Sequence, residues 1–252
     1  MWRLIKIIAL GLALSFVAML AHEAWTIWRI KRLRDHNPQT TSLMEARLTE
    51  ARDKGTELKP AQTWMPLDKI SVNLQRAVIT GEDANFATHH GFDYDAIQKA
   101  WDEARTEAAK EAKDEGDDDS SWIPPMPQFK RGASTITQQL AKNLYLSTEK
   151  SFLRKAREAV FTYFLERKLS KRRILELYLN VIEWGDGIYG AEAAAQYYFH
   201  KSATSLAPGE AAYLSAMIPN PRTTFNPRLN PKRVARRQRI ILRGMPFVKL
   251  PT

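Results

Sequence analysis

The sequence predicts a mostly α-helical protein carried on one N-terminal membrane-spanning helix. Three observations predict it. A long apolar run lies near the start of the chain with basic residues on both sides. Behind it, apolar residues recur at helical spacing in one stretch after another. Several of these stretches open on a capping residue and close on glycine or Asn-Pro.

Residues 7–21 are apolar or small, with Ser15 the one mildly polar side chain; His22 and Glu23 interrupt the run and residues 24–30 extend it. Together they approach the roughly 20 residues that span a bilayer. Trp2, Trp25 and Trp28 stand where interfacial anchors stand. A cleaved signal peptide is the competing reading, but no small-x-small site lies near Ala21. The expectation is an uncleaved anchor over residues 7–30, preceded by a short terminus at 1–6. Basic residues flank both ends, so charge leaves the orientation open. Residues 31–63 are polar, with weak periodicity through Leu43, Ala46 and Leu48, and read as a stalk. Pro60, Trp64 and Pro66 mark entry into a folded domain over 64–245, with a tail at 246–252.

Asp68 or Ser71 can cap the first helix of that domain, and Ile70, Leu74, Ala77 and Val78 give it one buried face. It ends near Gly81, and Glu82 and Asp83 follow at once. Adjacent carboxylates at the end of an apolar helix are where burial raises a pKa and poises a general base. They are also what an ordinary polar helix end looks like. His89, His90 and Asp93 lack a recognisable zinc spacing. Residues 102–130 carry a charged helix, an acidic run and Pro124-Pro125, which suits a solvated insertion over the mouth of a site.

Thr135 and Gln138 form a capping box, so a helix starts near Ile136 with Ile136, Leu140, Leu144 and Tyr145 on its apolar side. Gln138 with Lys142, and Gln139 with Asn143, share helix faces at i,i+4. A second helix follows with Phe152, Ala156, Ala159, Val160 and Phe164 as its stripe, and with Arg154 and Glu158 at i,i+4. That pair is either a surface salt bridge or, with Lys142, a cradle for an anionic, phosphate-bearing ligand. Further on, Ile174, Leu175, Tyr178 and Leu179 pack a helix on which Glu176 and Asn180 hold structure. Gly185, Gly187 and Gly190 punctuate a loop; with no strand before them they are not a dinucleotide fingerprint. Two alanine-rich helices occupy 191–199 and 209–217. Residues 222–242 hold many arginines and no acid, which suits a helix facing phosphates or anionic lipid.

Net charge is +10 and cysteine is absent, so disulfides, thiolate metal sites and cysteine nucleophiles are excluded. A nucleic-acid binder would explain the charge but not the apolar run, and the basic tail lacks interleaved aromatics.

Gly132, Ser134, Thr135, Thr137, Gln138, Gln139, Lys142 and Asn143 match the second signature of the peptidoglycan glycosyltransferases. Glu82, Asp83, Phe86, His89, Gly91 and Asp93 match the first; Arg154, Lys155 and Glu158 match the third. Residues 171–180 match the fourth, and 222–242 resemble the last. The insertion departs from the family, whose usual link is shorter and less charged. The resemblance covers roughly 64–245. It implies a lysozyme-like helical head with a small extra lobe, on the outer side of the cell inner (plasma) membrane. It implies polymerisation of lipid II into β-1,4 glycan strands by inverting displacement, releasing polyprenyl diphosphate. Glu82 and Glu158 would be the catalytic carboxylates, Glu82 as general base. Lys142 and Arg154 would meet the diphosphate, and Glu158 would orient Arg154 or hold a divalent cation (Mg or Mn). Asp83, Phe86, His89, Ser134, Thr135, Gln138, Gln139, Asn143 and Lys155 would bind substrate. Lipid II, the growing glycan chain and the bilayer would be its partners, with other cell-wall synthesis proteins as candidates and no nucleic acid. A lysozyme-like hydrolase and a non-catalytic scaffold are the alternatives. A Ser-x-x-Lys stretch at 147–150 lacks the Lys-Thr-Gly and Ser-Asp-Asn partners of penicillin-reactive enzymes.

Overall fold

The computed structural model describes residues 2–114, 134–146 and 151–252. Most of the acidic part of the insertion, Gly132 and the Ser-x-x-Lys stretch lie outside the described residues. The mostly helical expectation holds, with one apolar helix at the N-terminus. Helix α1 is Trp2–Arg32, of which Ile8–Arg32 is long and apolar enough to cross a membrane. Its last turns join the head, where Ile30 and Leu33 are buried. They pack on α6 (Phe152–Lys168), and Glu23 pairs with Arg157 of that helix at 2.7 Å.

The segment expected as a stalk is built into the head. It forms α2 (Ser42–Asp53), capped by Thr41, whose hydroxyl accepts from Met44 N. Met44 is buried and the Ser42 hydroxyl donates to Leu144 O at 3.1 Å. Arg47 grips Glu183 through Nε and Nη2, and Glu50 accepts from both Arg47 and Arg222. Ion pairs rather than an apolar stripe hold this helix, which is why its hydrophobic periodicity is weak.

The head is two helical groups pressed together. In one, α3 (Val72–Glu82) packs on α9 (Pro208–Met217) and α10 (Pro231–Gly244). In the other, α5 (Ile136–Tyr145) packs on α2, α6 and α7 (Lys171–Val181). Leu74, Val78, Ile136, Leu140, Leu175 and Tyr178 are fully buried between them. Each buried Leu or Ile side chain contributes roughly 2 kcal/mol. Ser71 is the N-cap of α3, accepting from Asn73 N, and Thr135 and Gln138 make the expected capping box on α5. Helix α4 (Tyr94–Asp114) leads out from the head, and α8 (Ala191–Phe199) closes one side.

Of the three glycines of the expected loop, Gly185 ends a strand, Gly187 lies in the turn after it and Gly190 precedes α8; the strands around them are too short to leave a period-two pattern. Strands β1 (Ala61–Gln62), β2 (Glu183–Gly185) and β3 (Ile188–Tyr189) form a small sheet in the order β1-β3-β2. Asn180 pins the sheet to the helices, as its sequence reading anticipated. Its side chain accepts from Met65 N and donates to Met65 O, and its carbonyl accepts from Gln62. Gly190 turns the chain beside it at φ +81, where a Cβ would lie 2.7 Å from the Asn180 oxygen. Gly190→Ala is therefore expected to cost about 2–3 kcal/mol through strain and displacement of that carbonyl. Gly209→Ala, into open space, is expected to be near neutral. Thermal unfolding of the detergent-solubilised chain measures both.

Candidate active site

Glu82 is the last residue of α3 and its side chain is 7% exposed. It reaches that position because Gly81 lets the helix close on its neighbours. A Cβ on Gly81 would lie 2.6 Å from the Ser215 hydroxyl and 3.0 Å from the Ile241 side chain. The close approach brings Arg237 of α10 within reach, and its Nη2 donates to Gly81 O at 2.6 Å and to Glu82 Oε1 at 2.8 Å. From the other side Gln139 Nε2 donates to Glu82 Oε2 at 2.8 Å. The Tyr178 hydroxyl donates to Gln139 Oε1 at 2.8 Å, which fixes the amide with its NH₂ toward the carboxylate. Burial pushes the Glu82 carboxyl above its ordinary range, and Arg237, Gln139 and Lys142 pull the other way.

The adjacent carboxylate does different work. Asp83 accepts from Ile136 N at 2.9 Å, at the first turn of α5, where a helix N-terminus favours negative charge. It also meets His89 Nε2 at 2.8 Å. Gly91 N donates to His89 Nδ1, so the ring proton sits on Nε2 and points at Asp83. Thr135 donates to Gly91 O at 2.7 Å while serving as the cap, and Gln138 completes the capping box. Phe86 is fully buried against His89. Asp83, Phe86, His89 and Thr135, expected to bind substrate, thus have polar atoms or surfaces engaged in joining α3 to α5, and Gln138 caps α5 on Thr135 N. Gln138 accordingly does not pair with Lys142.

Two grooves are lined by Glu82 or by its partner Gln139. One, of about 230 Å³, is lined by Glu82, Asp83, Asn85, Asp93 and Ser134. The other, of about 250 Å³, is lined by Gln139, Lys142 and Asn143 of α5, by Arg47 and Glu183, and by Asn220. Glu82 lines the first and is bonded by Gln139, which lines the second. Beside Lys142 lies the cationic end of α6. Glu158 is buried, with Arg154 donating to one carboxylate oxygen at 2.9 Å and Lys155 to the other. Lys142 keeps an exposed surface, yet the protein packed around its ammonium lowers its pKa. Arg154 and Lys155 add to that, while Glu158 and Glu82 oppose it. One helix, α5, therefore presents an amide to a buried carboxylate and a lysine to a cationic cluster.

Arg237, Arg47 and Glu183 were not singled out in the sequence. For Arg237 a signal existed: buried Val234 and Ile241 stand three residues before and four after it, so all three share one face of α10. Nothing local marks Arg47, whose partner Glu183 lies 136 residues away.

The Transglycosylase family matches residues 51–116 and 124–246 of this chain. The biosynthetic peptidoglycan transglycosylase of Chromobacterium violaceum is 44% identical over 240 residues, covering 95% of this chain and 96% of that protein. The protein of the same name from Methylobacillus flagellatus is 41% identical over 241 residues, covering 96% of each. That from Thiobacillus denitrificans is 44% identical over 241 residues, covering 96% of this chain and 95% of its own length.

A base works as its anion, so if Glu82 is the base its raised pKa means that activity is lost as pH falls through that raised value. The acid limb of the pH–rate profile is expected above the ordinary glutamate range. Arg237→Gln removes a cation that favours the anion, and is expected to move that limb further up. Initial rates across a pH series with both proteins measure it.

Proposed function

The chain belongs to the transglycosylase family, and we propose that it polymerises lipid II into linear β-1,4 glycan strands with release of polyprenyl diphosphate. The observation that carries the proposal is the shared use of α5: Gln139 holds Glu82, and Lys142 faces Arg154, Lys155 and Glu158. A base and a phosphate clamp are the two things this transfer needs. A sugar hydroxyl has a very high pKa, so a base must take its proton as it attacks. Glu82 takes that proton while the hydroxyl oxygen bonds to the anomeric carbon of the donor. The bond from that carbon to the diphosphate breaks, and the diphosphate leaves with the electron pair. It needs no proton, only positive charge, from Lys142 and Arg154. Attack from the face opposite the leaving group inverts the centre.

Glu158 is a positioning residue in this proposal, holding Arg154 and Lys155 toward Lys142. Its two oxygens are already engaged by those cations, and no group of three or more His, Cys, Asp or Glu able to hold a metal exists among the described residues. The donor set therefore does not fit a protein-built divalent site, and no step is routed through one. A hydrolase would need a second carboxylate free to stand across the scissile bond as an acid. The commitment of Glu158 speaks against that assignment.

Helix α1 supports a membrane-anchored enzyme, and a lipid-linked substrate gives the anchor its purpose. We place the head on the outer side of the inner membrane, where such a substrate is consumed. The growing strand occupies the groove beside Asn143 and Asn220, whose amides suit sugar hydroxyls and acetamides.

Incubation of the full chain with labelled lipid II, with products separated by size, tests this. Wild type is expected to give a ladder of long, muramidase-sensitive chains. Glu82→Gln is expected to lower the rate by about 10²–10⁴-fold without loss of fold. A ladder of equal strength in both would move the base elsewhere, and shortening of added strands in place of a ladder would make the enzyme a hydrolase. Lys142→Met is expected to lower the rate by a comparable factor, with no recovery at high pH, because its charge and not its proton is used.

A further inference from the structure

A second cationic recess lies away from the grooves at Glu82, where α1 ends against the head. It is a cavity of about 150 Å³ whose polar lining is Arg29, Arg32, His36, Asn37 and Thr40, with Tyr145 at its wall. The arginines are held by stacking. The Arg29 guanidinium lies over the Trp25 and Tyr145 rings at 4.8 and 5.7 Å, and that of Arg32 over the Trp28 ring at 5.3 Å. Stacking occupies a guanidinium's flat faces and leaves its in-plane N–H groups, which form the fork that fits a phosphate. Neither arginine makes an ion pair with a described residue; Glu45, at the rim, accepts the Thr40 hydroxyl instead.

The far wall is fixed from α7. Arg173 donates to Leu33 O at 2.8 Å, to His36 O at 3.1 Å and to Asn37 Oδ1 at 2.7 Å. With Asn37 Oδ1 engaged, its NH₂ group remains as a further donor. Burial keeps the Tyr145 hydroxyl protonated well past its usual range, so it too stays neutral. The recess therefore combines two unpaired cations with neutral donors on a backbone turn that is already tied down.

We propose that this recess binds the phosphate of an anionic phospholipid headgroup, with Arg29 and Arg32 as its ligands. Location selects a lipid over a soluble anion. The recess lies at the C-terminal end of the segment long enough to span a bilayer, beside Trp25 and Trp28, which are 52% and 53% exposed. Those rings sit at the headgroup level of a bilayer, and the recess stands at the same depth. A bound headgroup would tie α1 to the end of α5 and so fix the height of the grooves above the membrane. The proposal rests on α1 being a membrane anchor and not on the polymerase reading.

Native mass spectrometry of the full chain in detergent, titrated with phosphatidylglycerol or phosphatidylcholine, tests it. Wild type is expected to retain phosphatidylglycerol about tenfold more strongly, and the double variant Arg29→Gln, Arg32→Gln to lose most of that preference. Arg233→Gln with Arg236→Gln, on the exposed basic face of α10, is expected to keep it. An equal loss in both double variants would mean diffuse charge attraction, and full retention in the α1 variant would mean the lipid sits elsewhere; either overturns the site. Displacement of the lipid by millimolar inorganic phosphate would also overturn it, since the recess would then read a free anion. Circular dichroism of each variant separates these outcomes from misfolding.

Discussion

A carboxylate that is to act as a base has to be shielded from water and still be able to ionise. Shielding alone would leave it protonated at neutral pH, and a full ion pair alone would leave it too weak to take a proton. Glu82 meets both demands because it sits between one cation and one amide. Arg237 supplies charge from α10, and Gln139 supplies a neutral hydrogen bond from α5. Each contact depends on a tight approach between helices far apart in sequence. Gly81 admits α10, Asp83 fastens the start of α5, and Tyr178 orients the amide. The head can be read as the set of contacts needed to keep those three approaches fixed.

Two neighbouring acids thus have different partners, although both line the same groove. Asp83 lies against the Ile136 N–H and the His89 imidazole, where it joins two helices. Glu82, one residue earlier, is held by the Arg237 and Gln139 side chains and lines one groove. The first turn of α5 sets this register, because its cap and its first free N–H both bind the segment that follows α3, while Gln138 closes the capping box on Thr135 N. The residues that look most functional by type are therefore in part a scaffold for the few that line the grooves.

Much of this was legible in the sequence, for identifiable reasons. Helices α3 and α5 announce themselves through apolar spacing and side-chain caps, α7 through apolar spacing and α9 through its alanines, all of which are local. Glu82, Gln139, Lys142, Arg154 and Glu158 were found because three short signatures carry them. What the sequence hid is pairing at long range. Helix α2 resembled a stalk because its attachment is made of ion pairs to Glu183 and Arg222, which no periodicity reports. The small sheet escaped because strands of two or three residues have no alternation to read. Signature membership also could not tell His89, Thr135 and Gln138, whose polar atoms are internally satisfied, from Gln139, whose amide faces the base.

The claim that Glu82 is a shielded base tuned by its two donors can be tested without turnover. Carbon-13 labelling of glutamate carboxyls in the full chain, with the Glu82 signal assigned by its loss in Glu82→Gln, would give its titration directly. The predicted result is a midpoint above the ordinary glutamate value of 4.5 that rises further in Gln139→Leu. A midpoint at or below that value, unmoved by Gln139→Leu, would show a solvated carboxylate and would contradict the assignment of Glu82 as the tuned base.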